Sequence, residues 1–99
     1  MQDFVERFKS GDVIRHFKRD KHGAGMDYLY LYLGIAQHTE DKQPLVIYRA
    51  LYGDGRLYAR PAAMFFGPVD KQKHPEAVQE LRFDYARQDE LALVRSALC

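Results

Sequence analysis

The sequence predicts a mainly β domain: a small SH3-like barrel of about five antiparallel strands with a short N-terminal helix and a C-terminal amphipathic helix. Three observations predict it. YLYLYLGIAQH, residues 28–38, holds a period of two around an interior glycine. IYRALYGDGRLYARP, residues 47–61, reads as two short strands around a glycine-rich turn. No helix of crossover length separates the central segments, which excludes a doubly wound sheet and its usual dinucleotide site.

From the N-terminus, Asp3 precedes Phe4, Val5 and Phe8 at helical spacing and Gly11 stands where a helix would stop, so a short helix is expected over 3–9. GDVIRHFK, 11–18, is rich in β-branched and aromatic residues and reads as the first strand. RDKHGAGMD follows as a flexible, glycine-containing loop. In the next strand Tyr28, Tyr30 and Tyr32 point one way and Leu29, Leu31, Leu33 and Ile35 the other, with the leucine side expected in the core before Gly34. Gly34 predicts a bulge or sharp bend that lets one strand serve two halves of a barrel.

TEDKQP makes a polar turn into the strand LVIYRALY, and Pro61 ends the strand GRLYARP. PAAM can hold one helical turn before Met64, Phe65 and Phe66 return to an extended segment. DKQKHPEAVQE, 70–80, is a charged, solvent-facing excursion, and LRFDYA forms one more short strand. Over 89–98, Leu91, Val94 and Leu98 share a helical face behind Asp89 as a cap. That stripe is expected to cover the barrel's open end, with a partner or dimer surface as the alternative.

At 99 residues the chain has room for one domain, 1–99, with the barrel at about 11–86 and helical extensions at 3–9 and 89–98. Fifteen Lys and Arg against fourteen Asp and Glu give a net charge of +1, too small to steer the chain onto nucleic acid or an anionic membrane. The one cysteine, Cys99, offers no internal disulfide and no CxxC logic, which fits a reducing, cytoplasmic setting. No stretch has the length of a membrane span or the core of a signal peptide, so no membrane partner is expected.

The turn at Gly53 to Gly55 decides which side chains share a face. A two-residue turn at Asp54-Gly55 sets Arg49 opposite Arg60. A three-residue loop sets Tyr48 opposite Arg60 and leaves Arg49 between Ile47 and Leu51. In both, Arg56, Tyr58 and Arg60 share a side. Arg49 and Arg60 could pair with Asp12, Glu40 or Asp54 and lock the barrel, since a buried guanidinium needs a partner. They could instead hold a small anion, for which planar guanidinium suits oxygen pairs.

The four histidines have no metal-binding spacing, so no metal and no cofactor is expected; His16 and His38 lie on strands that could be neighbours. GxSxG, GxxxxGKS and GxGxxG are absent, which disfavours an enzyme. A hydrolase would need a pocket of at least roughly 300 Å³ with a histidine beside a carboxylate. The candidate binding site is therefore His16, His38, Tyr48, Arg49, Tyr58 and Arg60, in a non-catalytic binding or accessory module for an unidentified protein or a small anionic ligand. The alternative is single-stranded nucleic acid on the Arg and Tyr face, with stacking by Tyr58 between Arg56 and Arg60, which the near-zero net charge disfavours.

In order along the chain, GDVIRHFK, LYLGIAQHTE, VIYRALYGDGRLYARPAAMFF and RFDY resemble the DUF1653 family of small bacterial proteins, over roughly residues 11–85. The resemblance implies an SH3-like barrel and no assigned function. The family's pattern falls on Arg15, His16, Phe17, His38, Tyr48, Arg49, Tyr52, Gly53, Asp54, Arg60 and Pro61. This chain departs from it in the longer HGAGMD loop, in Tyr58 where tryptophan is common, and in Leu31 where an acidic residue is common.

Overall fold

The alternating segment at 28–38 becomes the longest strand, and the rest of the sheet is built outward from it. The computed structural model describes residues 4–98. Its elements are β1 (Val13–His16), α1 (Arg19–His22), β2 (Leu29–Gln37), β3 (Pro44–Ala50), β4 (Leu57–Pro61), α2 (Ala62–Phe65), β5 (Phe83–Tyr85) and α3 (Gln88–Leu98). The five strands form one antiparallel sheet in the order β4, β3, β2, β1, β5. The sheet curls until its two edges approach: the Arg60 guanidinium of β4 lies 5.8 Å from the centre of the Phe83 ring of β5. The result is barrel-like, open along the seam between β4 and β5.

The bend falls at the interior glycine. Pairing of β2 with β3 shifts between Tyr32↔Tyr48 and Gly34↔Ile47, and Gly34 takes φ 152. That backbone region is nearly closed to residues with a Cβ. A Cβ at Gly34 would meet nothing within 4 Å, so Gly34→Ala is expected to cost about 1–3 kcal/mol through backbone strain alone, read as a shift in the denaturant midpoint.

Cross-strand partners share a face, so the register Ile14↔Tyr30↔Ala50, Tyr32↔Tyr48↔Tyr58 and Val46↔Arg60 puts the tyrosines, not the leucines, on the concave side. Tyr30, Tyr32 and Tyr48 are buried there with Phe8, Phe65, Phe66 and Phe83. On the opposite, convex side Leu29 is fully buried and Leu31 half-buried; past the shifted pairing Ile35 lies opposite Val46, on the concave side, and is exposed. Large rings fill a small curled sheet with few side chains, which period-two alternation does not reveal.

Four local expectations change. Residues 5–9 form no helix, and Asp3, the expected cap, lies outside the described residues, as do Cys99 and the Leu98 side chain. A helix this short is unstable alone, and tertiary contacts hold the segment instead. Phe4 stacks on Phe66 with ring centres 5.4 Å apart, Phe8 is buried, and Tyr32 Oη donates to Glu6 Oε2 at 2.6 Å. Met64 and Phe65 stay in α2, because one helical turn points Ala62, Phe65 and Phe66 together into the core. The extended chain resumes at 67–69, where Val69 N–H donates to Glu80 O.

The loop after β1 contains the turn of helix α1. The fourth change is at the start of α3. The helix opens at Gln88, and Glu90, not Asp89, caps it by accepting the Arg87 N–H at 2.8 Å. Glu90 and Val94 face inward, with Leu91 half-buried beside them.

Candidate functional site

The β3 to β4 turn follows neither expected register. Tyr48 pairs with Tyr58 and Arg49 with Leu57, and Ala50 N–H donates to Arg56 O, so Leu51 to Gly55 form a five-residue connection. Gly53 and Gly55 take φ 61 and 69, which the longer loop requires. The parity still leaves Arg56, Tyr58 and Arg60 on one side, and it is the concave side, across from Tyr48 and Val46.

Arg49 therefore points outward, where it is exposed and its Nη1 donates to Gly55 O at 3.0 Å. It closes the turn. Asp54 pairs with Arg56 at 3.1 Å, the Asp12 carboxylate accepts the Lys9 N–H, and Glu40 forms no ion pair among the described residues. The buried arginine is Arg15. Its Nε donates to both Glu90 oxygens at 3.1 Å, its Nη2 to Asp20 Oδ1 at 2.7 Å and its Nη1 to Gln79 Oε1 at 2.6 Å. Burial works against that charge, yet Asp20 and Glu90 hold the guanidinium above its ordinary pKa. The lock thus joins β1 to α3 and leaves Arg60 out.

The histidines separate as well. His38 Nδ1 accepts from the amides of Glu40 and Asp41 and shapes the β2 to β3 turn. His16 N–H bonds Tyr28 O just before β2, whose nine residues span about 30 Å, so the two imidazoles lie at opposite ends of it. Of the six predicted residues, His16, Tyr48, Tyr58 and Arg60 share the concave face, while Arg49 and His38 lie elsewhere.

Arg60 and His16 line a cavity of about 240 Å³ at the seam, with Arg82 contributed from the residue before β5. Lys18, Lys73 and His74 complete its polar wall, and Asp70 is its one carboxylate. Among the described residues, Lys18, Arg60, Lys73 and Arg82 form no ion pair, and His16 is not within ion-pair range of Asp70. Arg82 Nη1 donates only to Met64 O, at 2.6 Å.

Burial, then the positive charges of Arg60, Lys18 and Arg82, push His16 down to about 3, so its imidazole is neutral near pH 7. Nδ1 accepts the Lys18 N–H at 3.1 Å, which assigns the proton to Nε2. Burial and the neighbouring Arg60 lower Arg82 as well, against the pull of Asp70. Burial raises Tyr48, and the Arg60 guanidinium opposes that shift.

Sequence reasoning missed Lys18, Lys73, His74 and Arg82. They come together because Phe17 N–H pairs with Arg82 O and residues 80–82 pair with 67–69, and no local pattern carries those contacts. Among the described residues, no group of three His, Cys, Asp or Glu side chains is arranged to hold a metal ion. No helix among them is long and apolar enough to cross a membrane.

Neither a curated protein nor a solved structure matches the chain. One family profile does, described as "Protein of unknown function (DUF1653)", over residues 12–85. That span runs from the turn before β1 to the end of β5, so it contains every strand and both walls of the seam. The chain belongs to the DUF1653 family.

Proposed function

We propose that this chain is a non-catalytic binding module that takes a small anion in the seam between β4 and β5. The observation that carries the reading is four unpaired cations converging on one cavity against a single carboxylate. Like charges held together without a counter-charge raise each other's energy, and an anion relieves that cost. Arg60 and Arg82 offer planar donor pairs, Lys18 and Lys73 offer ammonium groups, and neutral His16 offers an N–H. Tyr48 and Tyr58 border Arg60 on the same face. The one cysteine in the chain fits a cytoplasmic setting.

Inorganic phosphate titrated into the protein is expected to move the amide resonances of His16, Arg60 and Arg82. Arg60→Gln with Arg82→Gln should weaken that binding at least about tenfold, since each replaced charge-assisted contact is worth roughly 1.5–3 kcal/mol. Unchanged binding in a folded double variant would overturn the reading.

A second reading rests on Tyr58, which is 41% exposed between Arg56 and Arg60 on the concave side. An exposed ring flanked by guanidinium groups is a stacking platform for single-stranded nucleic acid. That reading requires affinity to fall steeply between about 50 and 200 mM salt.

A further inference from the structure

The smaller cavity has a larger neighbour. A second cavity of about 610 Å³ lies beside it, between α1 and the 70–80 excursion. The two share Phe17, Lys18, Lys73 and His74 as common wall. Phe17 and His74 meet edge to face there, with ring centres 4.9 Å apart, and His16 stacks on Phe17 at 4.6 Å. The larger cavity adds the apolar side chains of Ala77 and Val78, and Val78 is 80% exposed in a largely polar segment. Core packing does not account for an apolar side chain left so open. The same cavity carries Asp20 and Glu76, which pair with Arg15 and Lys21.

We infer that the ligand of this seam is a small phosphate monoester with an apolar ring body, its phosphoryl group among His16, Arg60 and Arg82 and its ring over Phe17, Ala77 and Val78. The inference rests on the anion-binding reading and adds to it the ligand's class and the place of its body. A phosphate monoester fits better than a carboxylate because four cations face one Asp70, and a dianion with three terminal oxygens satisfies more of them than a monoanion with two. The two linings set the ligand's direction: Arg60 and Arg82, which form no ion pair among the described residues, line the smaller cavity and take the anion, and the apolar Ala77 and Val78 line the larger one and take the ring.

Calorimetric titration of the full chain with inorganic phosphate, 1-naphthyl phosphate and 1-naphthoate tests this. In the wild type 1-naphthyl phosphate should bind about tenfold or more tighter than either other compound, a gain that burial of a small part of the ring provides. Ala77→Gln with Val78→Ser, both on the surface excursion, should remove that gain and leave inorganic phosphate unchanged. A phosphotyrosine pentapeptide should bind no tighter than phenyl phosphate.

Equal affinity for 1-naphthyl phosphate and inorganic phosphate in the wild type would overturn the inference while leaving the anion site standing. A gain that survives in the Ala77, Val78 variant, an equally tight 1-naphthoate, or a peptide tighter by tenfold would overturn it too. No phosphate binding at all, or phosphate binding indifferent to Arg60→Gln and Arg82→Gln, would overturn the underlying reading instead.

Discussion

Replacing Glu90 with alanine is expected to destabilise the protein by about 3 kcal/mol or more, measured by urea denaturation at pH 7. Glu90 is 3% exposed and accepts from Arg15, from Arg19 and from the Arg87 amide. Its loss strands a buried guanidinium and uncaps α3 in one step. Asp20 and Gln79 keep part of the Arg15 network, which holds the cost near the lower end of the range for a broken buried pair. Glu90→Gln should cost less, because the amide keeps an acceptor oxygen for one arginine. If Glu90→Ala leaves the midpoint within about 0.5 kcal/mol of wild type, the lock is not structural.

The same groups set the response to acid. His16 is held near 3 in the fold against 6.5 for a free imidazole, so the unfolded chain binds the extra proton between those values. Stability should begin to fall as the pH drops below 6.5, before any carboxylate titrates. Burial alone would raise Glu90, but the Arg87 amide, Arg19 and Arg15 hold it below its ordinary 4.5; the hydrogen bond from Arg15 holds Asp20 below 3.8. Their contribution is present above those values and is lost as the pH falls further. His16→Gln should flatten the upper limb of the stability curve and leave the lower limb in place.

Phe65→Ala should cost about 3–5 kcal/mol, a large share of the roughly 5–15 kcal/mol that holds a domain of this kind together. Phe65 is fully buried, and its ring stacks on Phe83 with centres 4.0 Å apart and planes 11° apart. It also touches the rings of Phe8, Tyr32 and Tyr48. Phe83 lies beneath Arg60 across the seam, so the cavity left by Phe65 would loosen the floor of the anion site as well. Phe65→Leu, which keeps most of the volume, should cost clearly less. Equal costs for the two variants would mean that ring stacking, not volume, sets the stability.

Much of the strand content was legible because alternation and turn residues are local. YLYLYLGIAQH announced a long strand with a bend at Gly34, and the shifted pairing there follows from one glycine. The turn at 51–55 was harder: glycines at 53 and 55 suit several loop lengths, and only packing of Tyr48 against Tyr58 and Phe65 selects the five-residue form. The N-terminal segment misled for a related reason. Phe4 and Phe8 have helical spacing, but they are anchored to Phe66 and Tyr32 from outside the segment.

The candidate site divides along the same line. Parity alone placed Arg56, Tyr58 and Arg60 on one side, since side chains two apart in a strand share a face whatever the turn does. By itself, then, the sequence determined a mainly β fold, its family and that shared face. Only the tertiary structure decided that the face is concave, that Arg49 turns outward, and that Arg15 rather than Arg60 is buried against α3. It also brought Arg60 to Arg82, twenty-two positions on, because curling the sheet brings β4 and β5 together without a ladder between them. Contacts across a seam obey curvature and core volume, and neither is written in the period of any one strand.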